Sequence, residues 1–347
     1  MNRHNPIGRR SQSVNNEQEK LKKHSWVMIS WAPYSRMSQT FARELDGKLH
    51  CIHYLRFQSP IHAPFKYVLM AIKTIIVLFQ EHPKAIHVQN PPFVAGLVVQ
   101  FYCWLTGAKF VLHYHSAAFG KAWDWALPLQ KYIARKAVTN IVTNNHWAEI
   151  VESWGGHTLV MTDPFLDLPV GDEFSVNQEF NVAFVSTFAD DEPLEEVLSA
   201  AEQMPDVHFY ITGNKNKKSK SFFENRPPNI TFTGFLDPDQ QYPGLLRAVD
   251  AVMVLTTRNY TLQLGGCEAA AVGKPLITSD WPYLKEVFPK GTEYVASTTE
   301  SIIDGIRNVE KNYPRLAEEI VHLRNESQQD WSEKLIELNS LMGVEEK

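Results

Sequence analysis

The sequence predicts an α/β protein with two domains, each built around a parallel β-sheet. A chain of 347 residues fits two domains of ordinary size better than one. Short apolar segments alternate with helical patterns from residue 25 to 160, and the same alternation starts again at residue 180. Near-continuous apolar strands separated by helices are typical of parallel sheets covered on both faces, with right-handed connections. We therefore expect two Rossmann-like halves.

The first half consists of five predicted strands and four predicted helices. Gly47 and Gly107 are helix-ending signals, and Pro33 bounds the first strand. The strands are expected at 26–31, 50–55, 85–89, 109–114 and 140–143, and the helices at 38–45, 65–80, 93–105 and 123–136.

The second half repeats this order after a segment without periodicity. Residues 161–179 contain the pairs Asp163-Pro164, Leu168-Pro169 and Gly171-Asp172, which indicates an interdomain linker. Strands are then expected at 181–186, 207–212, 229–233, 250–255 and 274–278, and helices at 192–204, 240–249, 264–273, 282–288 and 299–343. The predicted organisation is a disordered tail (1–24), a first domain (25–160), the linker, a second domain (180–325) and a C-terminal helix (326–347) that packs back on the first domain.

Composition excludes some classes of function and leaves one question open. A net charge of -5 argues against a general nucleic-acid binder, because such proteins concentrate basic charge. The three cysteines lack metal-ligand spacing and indicate buried thiols in a reducing compartment, and the polar residues 1–24 do not resemble a signal peptide. We therefore expect a cytoplasmic protein. The apolar segments 67–79 and 94–105 are shorter than the roughly 20 residues that span a bilayer. They are either buried helices or an interfacial contact with the inner face of the membrane.

The segment 255–278 carries the strongest chemical signal. It contains a strand, a polar loop, the pair Gly265-Gly266 at a helix start, Glu268 in the first turns, and Gly-Lys-Pro before the next strand. Free N–H groups at a helix N-terminus suit a diphosphate, and a carboxylate can accept hydrogen bonds from two ribose hydroxyls. Glycine also allows close approach of a ligand to the backbone. The alternative is that the glycines serve helix–sheet packing and that Glu268 is an ordinary exposed residue.

Residues 267–277 resemble the nucleotide-sugar signature of GT-B glycosyltransferases, especially retaining family four. The resemblance implies two Rossmann-like domains whose parallel sheets face each other across a cleft, and it implies that Glu268 binds the nucleotide ribose. The family's first glutamate corresponds to Tyr260, which leaves the donor sugar and the retaining outcome open. The family's basic pair after strand 181–186 is also missing. Helix N–H groups and Arg258 are therefore expected to bind the donor's diphosphate instead.

Further donor contacts follow from the same resemblance. Tyr260, Thr261 and Gln263 can supply hydroxyl and amide contacts to the donor. The backbone of Phe235 and Leu236 resembles the family's base-binding loop, and Gly213 ends the strand next to it. A plain strand-to-loop turn is the alternative for this segment.

The acceptor is expected at the strand ends of the first domain. His115 resembles the histidine after the corresponding strand in β-mannosyltransferases of dolichol-linked glycan synthesis, and His113 precedes it by two residues. A histidine can take the acceptor's proton or support the leaving phosphate. Asn90, in a Gln-Asn-Pro-Pro segment of the same resemblance, and Ser35 and Arg36, in place of the family's glycine-rich loop, are candidate acceptor contacts. A structural histidine and a Pro-Pro turn are the alternatives.

The predicted function is glycosyl transfer from a nucleotide sugar, expected to be a UDP-sugar, to a hydroxyl of a glycan, a lipid-linked saccharide or a small molecule. Such a reaction suits polysaccharide biosynthesis. No Asp-x-Asp pair is expected to hold a metal-bound diphosphate, so neither a metal nor another cofactor is expected to be required. A nucleotide-sugar epimerase and a catalytically silent nucleotide-sugar-binding subunit remain alternatives.

Overall fold

The computed structural model is described over most of the chain, and the chain divides into two compact units. Unit 1 comprises residues 1–161 and 335–347, and unit 2 comprises residues 162–334. The predicted tail 1–24 and parts of the predicted linker lie outside the described residues, as does the side chain of Arg36. The described ranges are 25–54, 63–162, 165, 168–177, 180–224 and 226–344.

Unit 1 contains a six-stranded parallel sheet in the order β2-β1-β3-β4-β5-β6. Its strands are β1 (Trp26–Ser30), β2 (Lys48–Cys51), β3 (Ala85–Asn90), β4 (Lys109–Tyr114), β5 (Thr139–Val142) and β6 (Thr158–Val160). Its helices are α1 (Arg36–Glu44), α2 (Ala63–Glu81), α3 (Phe93–Thr106), α4 (Leu127–Lys136) and α5 (Asn145–Ser153). Two short 3₁₀ turns, Ser116–Phe119 and Lys121–Ala126, follow β4.

Unit 2 contains a second six-stranded parallel sheet, in the order β12-β11-β10-β7-β8-β9. Its strands are β7 (Phe180–Phe184), β8 (Val207–Thr212), β9 (Ile230–Gly234), β10 (Ala251–Val254), β11 (Leu276–Ser279) and β12 (Thr292–Val295). Its helices are α6 (Leu194–Gln203), α7 (Gln241–Ala248), α8 (Leu264–Ala271), α9 (Pro282–Val287) and α10 (Thr299–Met342).

These two sheets confirm the predicted fold class. The strands β1, β5, β7, β8, β10 and β11 are buried along their whole length, which explains why they read as continuous apolar runs. In unit 2, separate apolar clusters cover the two faces of the sheet. Because all strands are parallel, their carboxyl ends meet at one edge of each sheet, where ligands of open α/β sheets bind.

The sequence missed three elements and misplaced a fourth. The strands β6 and β12 were not predicted, and both are short strands at sheet edges with too few residues for a recognisable pattern. Helix α5 was also missed, although Asn144 caps it by accepting a hydrogen bond from the Trp147 N–H at 3.0 Å. The edge strand β2 ends at Cys51 instead of residue 55, because its register is set by pairing with β1. His53 therefore lies in the loop after β2.

Helix α10 is long and kinked. Asn312 has non-helical backbone angles, and Pro314 lies within the next turn, where a proline removes a helix hydrogen bond. Residues from 335 onward belong to unit 1, where the Trp26 indole donates to Asn339 Oδ1 at 2.8 Å. Over the described part of the chain, no helix combines the length and the apolar character needed to cross a membrane.

Candidate donor and acceptor sites

The first turn of helix α8 presents backbone N–H groups at the carboxyl end of β10. No side chain caps this turn among the described residues, and its preceding residue Gln263 is tied to the loop through a 3.0 Å hydrogen bond from its amide to the Leu255 carbonyl. The Gly266 N–H donates to the Gln263 carbonyl at 3.0 Å. The N–H groups of Leu264 and Gly265 precede it at the positive end of the helix dipole, where an anion is favoured.

The two glycines of this turn are required by packing. A Cβ on Gly265 would lie 2.9 Å from Val185 Cγ1, and one on Gly266 would lie 2.7 Å from Phe288 Cζ. Both distances are shorter than van der Waals contact, so a larger residue would push α8 away from the sheet. Helix–sheet packing therefore explains why these two positions are glycine. It does not prevent the backbone N–H groups of the turn from binding an anion.

Glu268 is half-buried, and a neighbouring helix fixes its carboxylate. The Tyr242 hydroxyl, from α7, donates to Glu268 Oε2 at 2.5 Å. The sequence analysis missed Tyr242, which lies 26 positions away in the chain. This hydrogen bond holds the carboxylate in one orientation, as a bidentate contact to two hydroxyls requires.

The polar loop between β10 and α8 is anchored to Asp191. Its carboxylate accepts from Thr256 Oγ1 at 2.8 Å, and its backbone carbonyl accepts from the Thr257 N–H at 2.7 Å. Arg258 forms an ion pair with the same carboxylate, at 3.5 Å, while 66% of its side chain is exposed. The predicted phosphate contact Arg258 therefore already has an acidic partner.

The remaining predicted donor residues lie in this loop and in the loop after β9. Tyr260 has a left-handed backbone (φ 55°), and its ring lies 6.5 Å from the Tyr283 ring. Thr261 Oγ1 donates to the Asn259 carbonyl at 3.4 Å. In the loop after β9, Phe235 is 84% exposed, whereas Leu236 packs against the core of unit 2.

The loop after β7 is closed by its own glutamate. The Glu192 carboxylate accepts hydrogen bonds from Ser186 Oγ at 2.6 Å and from the Thr187 N–H, Thr187 Oγ1 and Ala189 N–H at 3.0 Å. Gly213, which follows the adjacent strand β8, donates its N–H to the Gly234 carbonyl at 3.2 Å. The absence of a basic pair in this loop was predicted from the sequence, but the role of Glu192 was not.

Unit 1 contains a cavity of about 310 Å³ at the carboxyl ends of its strands. Its polar lining residues come from the loops after β2 and β4, from the end of β3 and from the start of α2, and its walls are largely aromatic. The polar lining residues are His53, Lys66, Gln89 and His115, and the aromatic ones include Trp31, Tyr54, Tyr67 and Trp123. Aromatic walls with a few polar groups are typical of sites that bind a sugar or another amphipathic ligand.

His115 faces this cavity above two deeply buried histidines. Its Nε2 is buried and has no hydrogen-bond partner among the described residues. Burial lowers its pKa below the ordinary value, so the imidazole is neutral at pH 7 and able to accept a proton. Its backbone N–H donates to the Asn90 carbonyl at 2.9 Å, which ties the end of β4 to the end of β3.

His113 occupies a different position from the one predicted. It is only 1% exposed, is not among the cavity-lining residues, and its Nδ1 lies 3.2 Å from His87 Nε2. Its ring stacks on that of His115 with centroids 4.9 Å apart. Burial, followed by repulsion from His115 and His87, keeps its pKa well below the ordinary value. His113 therefore packs against the His115 ring in the protein interior and does not line the cavity.

The other predicted acceptor residues lie around this edge of the sheet. Ser35 caps α1, since its Oγ accepts from the Ser38 N–H at 3.2 Å. The side chain of Arg36 lies outside the described residues, so its predicted contact is not placed. Asn90 is 1% exposed, and neither amide atom has a hydrogen-bond partner among the described residues.

Comparisons with known proteins agree with this architecture. Residues 192–332 match a family model described as glycosyl transferase-like. Anabaena HepE, solved in complex with UDP and glucose, is 14% identical with a TM-score of 0.67, over 91% of this chain and all of that one. Sucrose-phosphate synthase from Thermosynechococcus elongatus is 14% identical with a TM-score of 0.66, over 91% and 98%.

A third solved structure is similar over a smaller share. A mutant of S. aureus TarM, in complex with fondaparinux, α-GlcNAc-glycerol and UDP, is 17% identical with a TM-score of 0.58, over 79% of this chain and 59% of that one. A search of curated proteins returned no match to the sequence. The chain therefore has the fold of the GT-B glycosyltransferases, with a glycosyl transferase-like segment in its second unit.

Proposed function

We propose that the protein transfers a sugar from a uridine diphosphate sugar to a hydroxyl acceptor. The observation that carries this proposal is the uncapped first turn of α8 directly before a glutamate whose carboxylate Tyr242 holds in place. This arrangement places a group of free N–H donors and a carboxylate in the same helix, as the phosphates and the ribose hydroxyls of a nucleotide require. The UDP bound to HepE in a similar fold supports the uridine diphosphate over other donors.

The donor is bound in unit 2 and the acceptor in the aromatic cavity of unit 1. In the transfer step, the bond between the anomeric carbon and the phosphate oxygen breaks, and a new bond forms to the acceptor oxygen. The acceptor's proton passes to His115 Nε2, and UDP leaves with the electron pair. The helix N–H groups stabilise part of the charge on the leaving diphosphate, and we propose that protein groups, without a metal, stabilise it fully. A glycan or a lipid-linked saccharide fits the aromatic walls of the cavity.

A nucleotide-sugar panel measured by thermal shift tests the donor assignment. UDP-sugars are expected to raise the melting temperature, because a ligand bound only by the folded state stabilises it. Glu268→Ala is expected to lower the affinity on the order of 10- to 100-fold, since it removes at least one hydrogen bond from ribose to a carboxylate, worth about 1.5–3 kcal/mol. Calorimetric titration with UDP measures this loss.

Two further variants make this test specific. Tyr242→Phe removes only the hydroxyl that orients the carboxylate, so it should weaken UDP binding less than Glu268→Ala does. Glu195→Ala changes an exposed acid in the first turn of α6 and should bind UDP like the wild type. Unchanged binding by Glu268→Ala, or no response to any UDP-sugar, would contradict the proposal.

We also propose that unit 1 contacts a membrane through an apolar face on α2 and α3. The exposed large apolar residues of this face are Phe65, Val68, Leu69, Ile72, Ile76, Phe79, Phe101, Trp104 and Leu105. The only charged residues of the two helices are Lys66, Lys73 and Glu81, which leaves the face without a ring of acids. An exposed apolar surface that carries Lys73 and few carboxylates supports contact with an anionic lipid surface such as the cytoplasmic leaflet.

Sedimentation with vesicles that contain anionic phosphatidylglycerol tests this contact. Trp104 and Phe65 are 72% and 73% exposed, and inserting such a side chain contributes about 1.5–3 kcal/mol. The double variant Phe65→Ser and Trp104→Ser is therefore expected to lower the bound fraction at least about tenfold. Val170→Ser, which changes an exposed apolar residue of unit 2, is the matched control. A wild-type protein that stays in the supernatant would disprove the contact.

A further inference from the structure

We propose that Lys217, assisted by Lys215, supplies the positive charge that meets the donor's diphosphate. The two lysines lie in the 3₁₀ turn Lys215–Lys217 that follows β8. This inference rests on the proposed function and adds a residue role to it.

The charges around the anion site make such a cation necessary. Three acidic residues, Asp191, Glu192 and Glu268, lie near the N-terminus of α8 or in the loops beside it. Arg258 is paired with Asp191, so its charge is already partly balanced. A diphosphate adds two or more negative charges, which helix N–H groups alone would meet with only a fraction of a unit charge. A further cation is therefore needed beside the phosphates.

The loop after β7 cannot take the phosphates itself. The Ser186 hydroxyl, the N–H and hydroxyl of Thr187 and the Ala189 N–H all donate to the carboxylate of Glu192, and the Ser186 N–H donates to Thr212 Oγ1. A carboxylate thus already occupies the donors that could have bound an anion. The phosphates must therefore bind the first turn of α8 and a cation beside this loop.

Lys217 contacts this loop. Its Nζ donates to the Thr187 carbonyl oxygen at 2.8 Å, which places the ammonium group at the loop after β7. Val185, two residues before Thr187, packs against Gly265 in the first turn of α8. The ammonium group and the helix N-terminus therefore flank the same short stretch of chain.

Lys215 lies beside the predicted base-binding loop. Its Cε is 3.5 Å from the position that a Cβ on Gly234 would occupy, directly before Phe235. Asn214 fixes the turn that carries both lysines, since its side chain accepts from the Asn216 N–H at 3.0 Å. The lysines are thereby positioned between the segment proposed to hold the base and the helix proposed to hold the phosphates.

A lysine suits this role because its ammonium group is a point charge on a flexible stem with three donors. Lys217 uses one donor on a carbonyl oxygen, so the remaining N–H groups can bind phosphate oxygens without breaking that contact. The same interaction grows stronger when charge develops on the leaving diphosphate. Lys217 thus contributes to binding and, more strongly, to the departure of UDP.

Titrations of UDP and of uridine against matched variants test this role. Lys217→Ala is expected to weaken UDP binding on the order of tenfold, the loss of about one charge-assisted hydrogen bond, and to leave uridine binding unchanged. The loss should shrink at high salt, because the contact is partly exposed to solvent. Lys217→Arg should restore most of the affinity. Lys220→Ala, which changes an exposed lysine of the next turn, should bind both ligands like the wild type.

The outcomes separate this inference from the proposed function. A wild type that binds neither UDP nor uridine overturns the proposed function and this inference with it. A wild type that binds UDP, with Lys217→Ala and Lys215→Ala unchanged, overturns only the role of the lysines. Equal losses for UDP and uridine in Lys217→Ala would also overturn it, because a contact to phosphate cannot weaken a ligand that has none.

Discussion

Replacing His115 by alanine is expected to slow sugar transfer about 10²- to 10⁴-fold, the usual loss when a positioned acid–base group is removed. The reason is that His115 Nε2 lies buried at the cavity without a hydrogen-bond partner among the described residues, in the neutral form that accepts a proton. UDP affinity should stay within about twofold, since the donor is proposed to bind residues of unit 2. Turnover with the donor identified by the panel measures the loss.

The pH dependence of turnover distinguishes a base from a structural residue. Because burial lowers the pKa of His115, the wild-type rate should be level around pH 7 and fall only as the pH drops through that lowered pKa. His157→Ala, which changes an exposed histidine of the same unit, should leave the rate unchanged. His53 also lines the cavity, so a larger loss in His53→Ala than in His115→Ala would reassign the proton acceptor.

The fold could be predicted because its signals are local. Strands such as β7, β8 and β10 are buried on both faces, so their sequences read as unbroken apolar runs. Helix α8 starts at residue 264, as predicted, because a glycine pair and a polar loop mark its beginning. The missed edge strands β6 and β12 instead depend on pairing with β5 and β11, which no local pattern records.

The candidate site was only partly predictable for the same physical reason. Glu268 and His115 follow strands or begin helices, and their positions can be read from the strand and helix boundaries. Tyr242 donates a hydrogen bond to Glu268, which is 26 positions away in the sequence. Lys217 donates one to Thr187, which is 30 positions away. Such contacts arise only when the sheet brings the loops together, and a single sequence contains no record of them.

His87 shows how burial can hide a polar group from sequence analysis. It lies in the middle of β3 and is completely buried, so the strand's apolar pattern conceals it. The register of β3 and β4 sets Val111 opposite His87 and Gln89 opposite His113, which makes the two histidines diagonal neighbours. Their ring nitrogens lie 3.2 Å apart, and a pair of protonated rings at that distance would repel strongly. The two rings therefore cannot both be protonated, and burial further disfavours a charge on either one.

This pair is expected to make the folded protein sensitive to acid. Burial lowers the pKa of His87 to about 3, and the pKa of His113 is also lowered well below 6.5. Above pH 6.5 both histidines are neutral in the folded and unfolded states, and the stabilisation is complete. As the pH falls below 6.5, only the unfolded chain takes up these protons. The free energy of unfolding should then decrease by up to about 1.4 kcal/mol per pH unit for each histidine, down to the folded-state pKa.

Urea unfolding between pH 7 and pH 5, followed by tryptophan fluorescence, measures this decrease. His87→Phe keeps a ring beside Phe41, whose centroid lies 4.6 Å from that of His87, and removes one titrating group. Its urea midpoint should therefore fall less steeply with decreasing pH than that of the wild type, whatever its stability at pH 7. His157→Gln, at an exposed site, should keep the wild-type slope. Equal slopes in the wild type and His87→Phe would mean that His87 already binds its proton in the folded state, and the buried neutral pair beneath His115 would then be wrong.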